Sequence, residues 1–172
     1  MRTILRPAIS ALLVLAATHV SSGTPAVAAD AVLTDAREQA PAALIGPWKA
    51  DLAASKYAGA KPRVALRTFA YTAEGKVLVT FMTLNAQGKF STGHWAAQVD
   101  GTPAIEYHSA ANSVPYNVVS FTKVDETTLN LIVTRHGKVD IQAVYKLSAD
   151  GTTLTYSYGD TVIVYRRWDG LD

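Results

Sequence analysis

The sequence predicts an all-β fold, an antiparallel up-and-down meander that closes into a barrel of about eight to ten strands. From Ile45 onward, apolar and polar side chains alternate with a period of two, and the period of a helix is absent. Turn signals such as Asp100-Gly101 and Asp150-Gly151 recur at short intervals. The segments between turns leave no length for crossover connections, so consecutive strands are expected to pair as hairpins.

The clearest alternation lies in residues 138–148 and 153–158. In the first segment the apolar face carries Val139, Ile141, Ala143, Tyr145 and Leu147. In the second segment it carries Leu154, Tyr156 and Tyr158. Each segment is therefore predicted to be a strand with one buried face.

Cutting the chain at its turn signals predicts strands at 45–52, 63–72, 76–85, 89–98, 103–108, 116–125, 128–136, 138–148, 152–158 and 160–168. An open meander would expose two sheet edges, and closure into a barrel removes both. A sandwich of two sheets is the alternative. Its Greek-key topology needs longer connections, for which residues 109–115 are the only candidate.

The first 29 residues have the order of a secretory signal peptide. Arg2 and Arg6 precede an apolar run at 8–17, and small residues follow to Ala28 and Ala29, after either of which cleavage would fit. The apolar run is shorter than the roughly 20 residues of a spanning helix, so we expect no membrane anchor after cleavage. The protein is predicted to be exported to the periplasm or the medium.

The rest of the chain is predicted to form one domain. Residues 30–44 are rich in alanine and interrupted by Pro41, which favours a flexible segment with at most a short helical turn. Residues 45–172 are expected to form the barrel. The sequence leaves the oligomeric state open.

Charge and cysteine content exclude several function classes. Lysine and arginine total 16 against 14 acidic residues, and loss of the signal peptide removes two arginines and no acid. The balanced charge that results does not favour a nucleic-acid partner. Since there is no cysteine, the chain has no disulfide, no thiolate nucleophile and no iron–sulfur ligand.

One tripeptide and one strand end carry a family resemblance. Gly46-Pro47-Trp48 opens the first predicted strand, and Arg166 and Arg167 end the last one. The combination resembles lipocalin-type barrels, and the longer string at 46–57 is similar to the start of small secreted bacterial proteins with lipocalin-like barrels. The resemblance implies that Trp48 plugs the closed end of the barrel and that one of the two arginines packs over it. Unlike typical lipocalins, the chain has no disulfide and no Thr-Asp-Tyr element between its middle strands.

No catalytic motif is present. The sequence lacks a Gly-x-Ser-x-Gly elbow, a phosphate-binding glycine loop, a His-Glu-x-x-His pair and a calcium loop. We therefore expect a protein that is not an enzyme and that uses no cofactor.

Three residues are weak candidates for a metal site, namely His94, Glu106 and His108. Glu106 and His108 share a face of the fifth strand. If residue 94 pairs with 108, all three side chains converge; if it pairs with Tyr107, the histidines lie on opposite faces. The expectation is that these histidines are solvated rim residues and that no metal is bound.

Two inward arginines are the sharper hypothesis for ligand binding. Arg135 continues the face of Leu129, Leu131 and Val133, while Arg166 continues that of Val162 and Val164. Either could hold the carboxylate of an amphipathic ligand, although Arg166 could instead cover Trp48. The aromatic candidates for the pocket wall are Phe81, Trp95, Tyr145, Tyr156 and Tyr158.

The sequence thus predicts an exported lipocalin-like protein that holds a small hydrophobic or amphipathic molecule inside its barrel. The alternative is a structural or protein-interaction barrel with a filled core and no ligand.

Overall fold

Ten antiparallel strands form a closed barrel in the computed structural model, which describes residues 40–109 and 116–170. The strands are β1 (Gly46–Ala50), β2 (Val64–Tyr71), β3 (Val77–Leu84), β4 (Phe90–Ala97), β5 (Ala104–His108), β6 (Tyr116–Lys123), β7 (Thr128–Arg135), β8 (Lys138–Leu147), β9 (Thr153–Tyr158) and β10 (Thr161–Arg167). Each strand pairs with the next along the chain, and β1 also pairs with β10. The predicted meander and its closure are confirmed, since every strand begins and ends within two residues of its predicted bounds.

Several sequence predictions concern residues outside the described ranges. The signal peptide and residues 30–39 of the flexible segment lie there, as does most of the connection at 109–115. Immediately before β1, Ala42–Leu44 form a short 3-10 helix whose Leu44 is fully buried. Within the described part of the chain, no helix has the length and apolar character needed to cross a membrane.

The hairpin turns follow the turn chemistry of the sequence. Gly88 has φ 80°, a left-handed conformation that glycine adopts at little cost, in the turn between β3 and β4. The Asn85 side-chain oxygen accepts hydrogen bonds from the backbone N–H groups of Gln87 and Lys89 in the same turn. Between β8 and β9, hydrogen bonds from Ser148 and Thr152 lower the pKa of Asp150 to about 2. These local contacts set the lengths of the hairpins and hence their register.

Trp48 and Arg167 close one end of the barrel. The Trp48 side chain is fully buried, and its Nε1 donates a hydrogen bond of 2.9 Å to the Leu44 carbonyl. The Arg167 guanidinium lies 4.0 Å from the indole centroid and donates to the carbonyls of Ile45 and Ala43. Trp48 and Arg167 are directly opposite each other in the ladder that joins β1 to β10. Of the two arginines offered by the sequence, Arg167 therefore covers the tryptophan.

The contact between Arg167 and Trp48 explains why the Gly-Pro-Trp motif begins with a glycine. Gly46 has φ 122°, and a Cβ atom at this position would lie 2.7 Å from Nη1 of Arg167. Any larger residue would displace the guanidinium from the carbonyls and the indole ring that it contacts. The motif is thus a packing requirement of the closed end.

Aromatic rings fill the middle of the barrel. Trp95 packs edge-on against Phe121 with ring centroids 4.9 Å apart, and Phe121 packs edge-on against Tyr145. Tyr145 also meets the edge of Phe69 at 5.5 Å and stacks on Tyr156 at 4.6 Å. These contacts join strands β2, β4, β6, β8 and β9 through one core.

The buried position predicted for Val139 on β8 is wrong, because a β-bulge interrupts the pairing of β8 with β7. Val133 pairs with Ile141 while Thr134 pairs with Val139, so the register shifts by one residue at this point. Val139 is consequently 55% exposed, whereas alternation predicted it on the buried face with Ile141. The rest of that face is buried or half-buried as predicted.

Replacing Trp48 with alanine should lower the free energy of unfolding by about 3–5 kcal/mol, because the change deletes a large buried aromatic side chain. The measurement is urea unfolding followed by far-ultraviolet circular dichroism. Phe90→Ala is the matched control, since Phe90 is 65% exposed and its removal should change stability by at most about 0.5 kcal/mol. An unchanged midpoint in Trp48→Ala would contradict the role assigned to this residue.

Candidate functional site

A cavity of about 370 Å³ lies inside the barrel. This volume is near the lower end of the range for small-molecule sites, roughly 300–1,000 Å³. The lining residues are Tyr57, Ala60, Pro62, Ala65, Arg67, Phe81, Thr83, Asn85, Ser91, Trp95, Glu106, His108, Asn117, Leu131, Val133, Arg135, Ile141, Tyr156, Tyr158, Ile163 and Tyr165. The wall is therefore mainly apolar and aromatic, with a few charged groups.

Arg67 projects from β2 into this cavity. It lies between the buried residues Ala65 and Phe69 on the inner face, directly opposite Trp48 on β1 and Phe81 on β3. Because directly opposite residues of an antiparallel pair point to the same side of the sheet, the inward Trp48 requires an inward Arg67.

Aromatic rings surround the Arg67 guanidinium. Its central carbon lies 4.5 Å from the ring centroid of Tyr156 and 5.2 Å from that of Tyr145, with the rings of Phe81 and Tyr165 within 6 Å. Such cation–π contacts stabilise a cation by about 0.5–2 kcal/mol each. They offset only part of the cost of removing a charge from water.

Among the described residues, no anion forms an ion pair with Arg67. The Nε atom of Arg67 is buried and has no hydrogen-bond partner among them. The neighbouring Tyr156 stays neutral, because burial raises its pKa to about 12 against the opposing effect of the Arg67 charge. The cavity thus presents a cation and a phenolic O–H group, both of which are hydrogen-bond donors.

A polar chain runs from the cavity wall to the exposed end of β7. Glu106 is 6% exposed and lies directly opposite Asn117 in the ladder between β5 and β6. Nδ2 of Asn117 donates to Oε1 of Glu106 at 2.8 Å, and Oδ1 of Asn117 accepts from Nε of Arg135 at 3.0 Å. Arg135 also pairs with Asp140 at 3.4 Å, with 44% of the arginine side chain exposed. The Arg135 charge is therefore already compensated, while the Glu106 carboxylate has an amide as its partner.

Four of the five aromatic candidates line the cavity: Phe81, Trp95, Tyr156 and Tyr158. Tyr145 lies behind this wall, 1% exposed, with its hydroxyl buried and without a hydrogen-bond partner. Arg135 also lines the cavity, as its alternation predicts.

The inward orientation expected for Arg166 is wrong. Arg166 is on the outer wall, where its Nη1 donates to Thr153 and its Nε lies 3.6 Å from an Asp51 carboxylate oxygen. Strand β10 is apolar on both faces, and its buried row is Thr161, Ile163 and Tyr165. Alternation along this strand therefore could not distinguish the inner from the outer row, and Arg166 is removed from the ligand-binding candidates.

The register of the β4–β5 hairpin separates the two histidines. His94 pairs with Tyr107, and Gly93 pairs with His108. His94 is exposed and stacks on Tyr107 with ring centroids 5.3 Å apart, whereas His108 lines the cavity. Within the described residues no cluster of three potential metal ligands forms.

A close ring contact explains the glycine at position 93. A Cβ atom there would lie 2.7 Å from Cε1 of Phe81 and from the Tyr107 carbonyl oxygen, and closer still to Cζ of Phe81. Phe81 also lies 5.3 Å from the His108 ring, measured between centroids. The absence of a side chain at Gly93 thus allows Phe81 to lie across the inner wall.

Sequence reasoning missed Arg67 and Asn117 as cavity residues and considered Glu106 only as a metal ligand. One signal could have found Arg67. The turn at 73–76 pairs Tyr71 with Val77, and counting back along this hairpin places Arg67 opposite Phe81, an expected pocket residue. Asn117 gave no comparable signal, because the long connection at 109–115 does not fix the register between β5 and β6 as a tight turn would.

No protein-family model matches the chain, and no curated protein or solved structure is significantly similar to it. The ten-strand up-and-down barrel is consistent with the lipocalin-like resemblance, but it does not by itself show membership of that family.

Asn117→Ala should lower the free energy of unfolding by about 1–3 kcal/mol, because the buried Glu106 carboxylate loses its donor. Thermal and urea unfolding measure the effect, with Asn130→Ala on the exposed face of β7 as control. A double-mutant cycle with Glu106→Ala should give a coupling energy of about 0.5–3 kcal/mol. Strictly additive effects of the two changes would count against the hydrogen bond as a stabilising contact.

Proposed function

We propose that the protein is an exported barrel that binds a small amphipathic molecule in its interior, with an anionic group of the ligand on Arg67. The observation that carries this proposal is the Arg67 cation at the cavity wall. Arg67 has no counter-ion among the described residues. A ligand carboxylate would supply Arg67 with a counter-ion and with hydrogen-bond acceptors, since it is an anion and accepts two parallel N–H donors from one guanidinium.

The remaining cavity wall favours an apolar body for the ligand. Trp95, Leu131, Val133 and Ile163 contribute apolar surface to the lining. Removing apolar surface from water stabilises a complex by about 25 cal/mol per Å². A small molecule with a hydrocarbon or aromatic part and one acidic group therefore suits this site better than a fully polar one.

Arg67 suits this role better than Arg135. Arg135 lies at the exposed end of the polar chain, where Asp140 and Asn117 already bind its guanidinium. A ligand carboxylate at Arg135 would compete with Asp140, whereas one at Arg67 would displace no ion-pair partner found in the described ranges.

Export is supported by the order of charge, apolar run and small residues in the first 29 positions. A binding barrel in the periplasm or the medium would meet small amphipathic molecules outside the cytoplasm.

A protein-interaction barrel is the second candidate, favoured by apolar side chains on the outer wall. Ile105, Tyr107, Ile132 and Val139 are each between 39% and 55% exposed. Ile105 pairs with Val118, Val118 with Thr134 and Thr134 with Val139, so Ile105 and Val139 belong to one row across β5 to β8. Tyr107 and Ile132 lie two residues from this row on β5 and β7, on the same face. Such a row could contact a protein partner.

Arg67→Met should weaken the binding of octanoate by about 10- to 100-fold, because a charge-assisted contact of roughly 1.4–2.8 kcal/mol is lost. Binding of octan-1-ol should change little, because the alcohol does not need the cation. Isothermal titration calorimetry measures both affinities. Arg166→Met is the matched control and should leave both unchanged, since Arg166 lies on the outer wall.

Two outcomes of this titration would overturn the proposal. If Arg67→Met binds octanoate as tightly as the parent, the anion site is not at Arg67. If neither compound binds the parent protein at millimolar concentration, and no shorter or amino-substituted alkanoate does either, the protein-interaction barrel replaces the ligand-binding one.

Expression of the full-length chain in a bacterium should yield a soluble exported form that has lost its first 28 or 29 residues. Intact-mass spectrometry of the periplasmic and medium fractions measures the cleavage. Replacing Arg2 and Arg6 with glutamate is the control and should retain the uncleaved chain in the cytoplasm. A full-length mass in the exported fraction would contradict cleavage.

A further inference from the structure

The cavity contains an anion as well as a cation. Glu106 and Arg67 both line it, yet no ion pair found among the described residues joins them. Burial is the main cause that raises the pKa of Tyr156 to about 12, and of the two charges Arg67 opposes this rise while Glu106 adds to it slightly. An incoming molecule therefore meets two opposite charges in one cavity.

The Glu106 carboxylate has room for a further donor. It is 6% exposed, and the hydrogen bonds of the described residues give it one donor, Nδ2 of Asn117. An ionised carboxylate offers about four lone-pair sites. Burial against hydrocarbon without further donors or a cation is costly for such a group.

In the described part of the chain, no cation forms an ion pair with Glu106. Arg135 orients Asn117 by donating a hydrogen bond to its Oδ1, so that the NH₂ group of Asn117 faces the Glu106 carboxylate. Arg135 itself pairs with Asp140. The polar chain therefore holds Glu106 in place while leaving its charge for a ligand.

These observations discriminate between classes of ligand. An alkanoate would satisfy Arg67 but would lay its hydrocarbon tail beside the Glu106 carboxylate. An alkylamine would satisfy Glu106 but would meet the uncompensated Arg67 cation. A dicarboxylate would be repelled by Glu106.

We propose that the cavity selects a compact zwitterion, an aminocarboxylate whose carboxylate binds Arg67 and whose ammonium group binds Glu106, with an apolar spacer between them. This inference rests on the proposed function, because it requires that the cavity bind a ligand at all. It adds Glu106 as a second binding group and thereby defines the class of ligand.

The test is a titration of the full exported protein with compounds matched in length. The compounds are 8-aminooctanoate, octanoate and octylamine, with four- and six-carbon sets to find the spacing that fits. The protein variants are the parent, Glu106→Gln, which keeps an oxygen for Asn117, and Glu126→Gln, whose parent side chain is 87% exposed. Thermal unfolding checks that each variant is folded.

For the best-fitting length, the parent should bind the aminocarboxylate at least about tenfold more tightly than the alkanoate or the amine. Glu106→Gln should weaken aminocarboxylate binding about tenfold and strengthen alkanoate binding, because it removes the anion that faces the alkyl chain. Glu126→Gln should behave as the parent. The opposite signs of the two effects distinguish a ligand contact from a structural role, which would weaken all compounds together.

The inference is overturned if the parent binds the alkanoate as tightly as the aminocarboxylate at every length, or if Glu106→Gln changes both affinities equally. Either result leaves the proposed function standing, since octanoate would still bind at Arg67. If no compound of any set binds, the proposed function fails as well. The comparison among compounds on the parent protein decides the matter even if Glu106→Gln does not fold.

Discussion

The contact between Trp48 and Arg167 joins the first and last strands and converts a meander into a closed barrel. It also sets which side chains face inward. Trp48 lies opposite Arg67, Arg67 opposite Phe81, Phe81 opposite Gly93, and Gly93 opposite His108. Since opposite residues share a face, the inward indole directs this whole row into the barrel. The cation of the cavity is therefore a consequence of closure, as is the glycine that makes space for the Phe81 ring.

Besides this packing, the barrel interior contains two charges that lower the stability of the fold. Four aromatic rings hold Arg67, and one amide holds Glu106, but neither charge has a counter-ion among the described residues. A barrel selected only for stability would carry apolar side chains at both positions. Departures of this kind from a consistent core are typical of functional sites. The closed end and the aromatic core provide the stability that such a site requires.

The β-bulge on β8 connects the fold to the mouth of the cavity. By shifting register at Thr134, it turns Val139 outward and inserts Asp140 as an extra residue near Arg135. Asp140 then neutralises Arg135, so Arg135 can orient Asn117 without adding a net charge to the cavity mouth. The arginine that alternation correctly placed on the cavity wall thus supports the site, while the free cation comes from β2. A bulge depends on pairing between strands, so it leaves no trace in the alternation of one strand.

Local sequence was enough to place all ten strands and their hairpins, because turn chemistry and two-residue alternation act over neighbouring positions. The resemblance to lipocalin-type barrels implied Trp48 at the closed end, and the sequence offered the four aromatic rings that line the cavity among its candidates. The sequence could not choose between Arg166 and Arg167, because β10 is apolar on both faces, nor bring Glu106 to Asn117 or Arg67 to Tyr156. The contact of Glu106 with Asn117 depends on the register between β5 and β6, and the contact of Arg67 with Tyr156 exists only once β1 and β10 have paired. Short-range sequence patterns thus determine the strands and hairpins, whereas the positions of Arg67 and Glu106 in the cavity depend on how the strands pair.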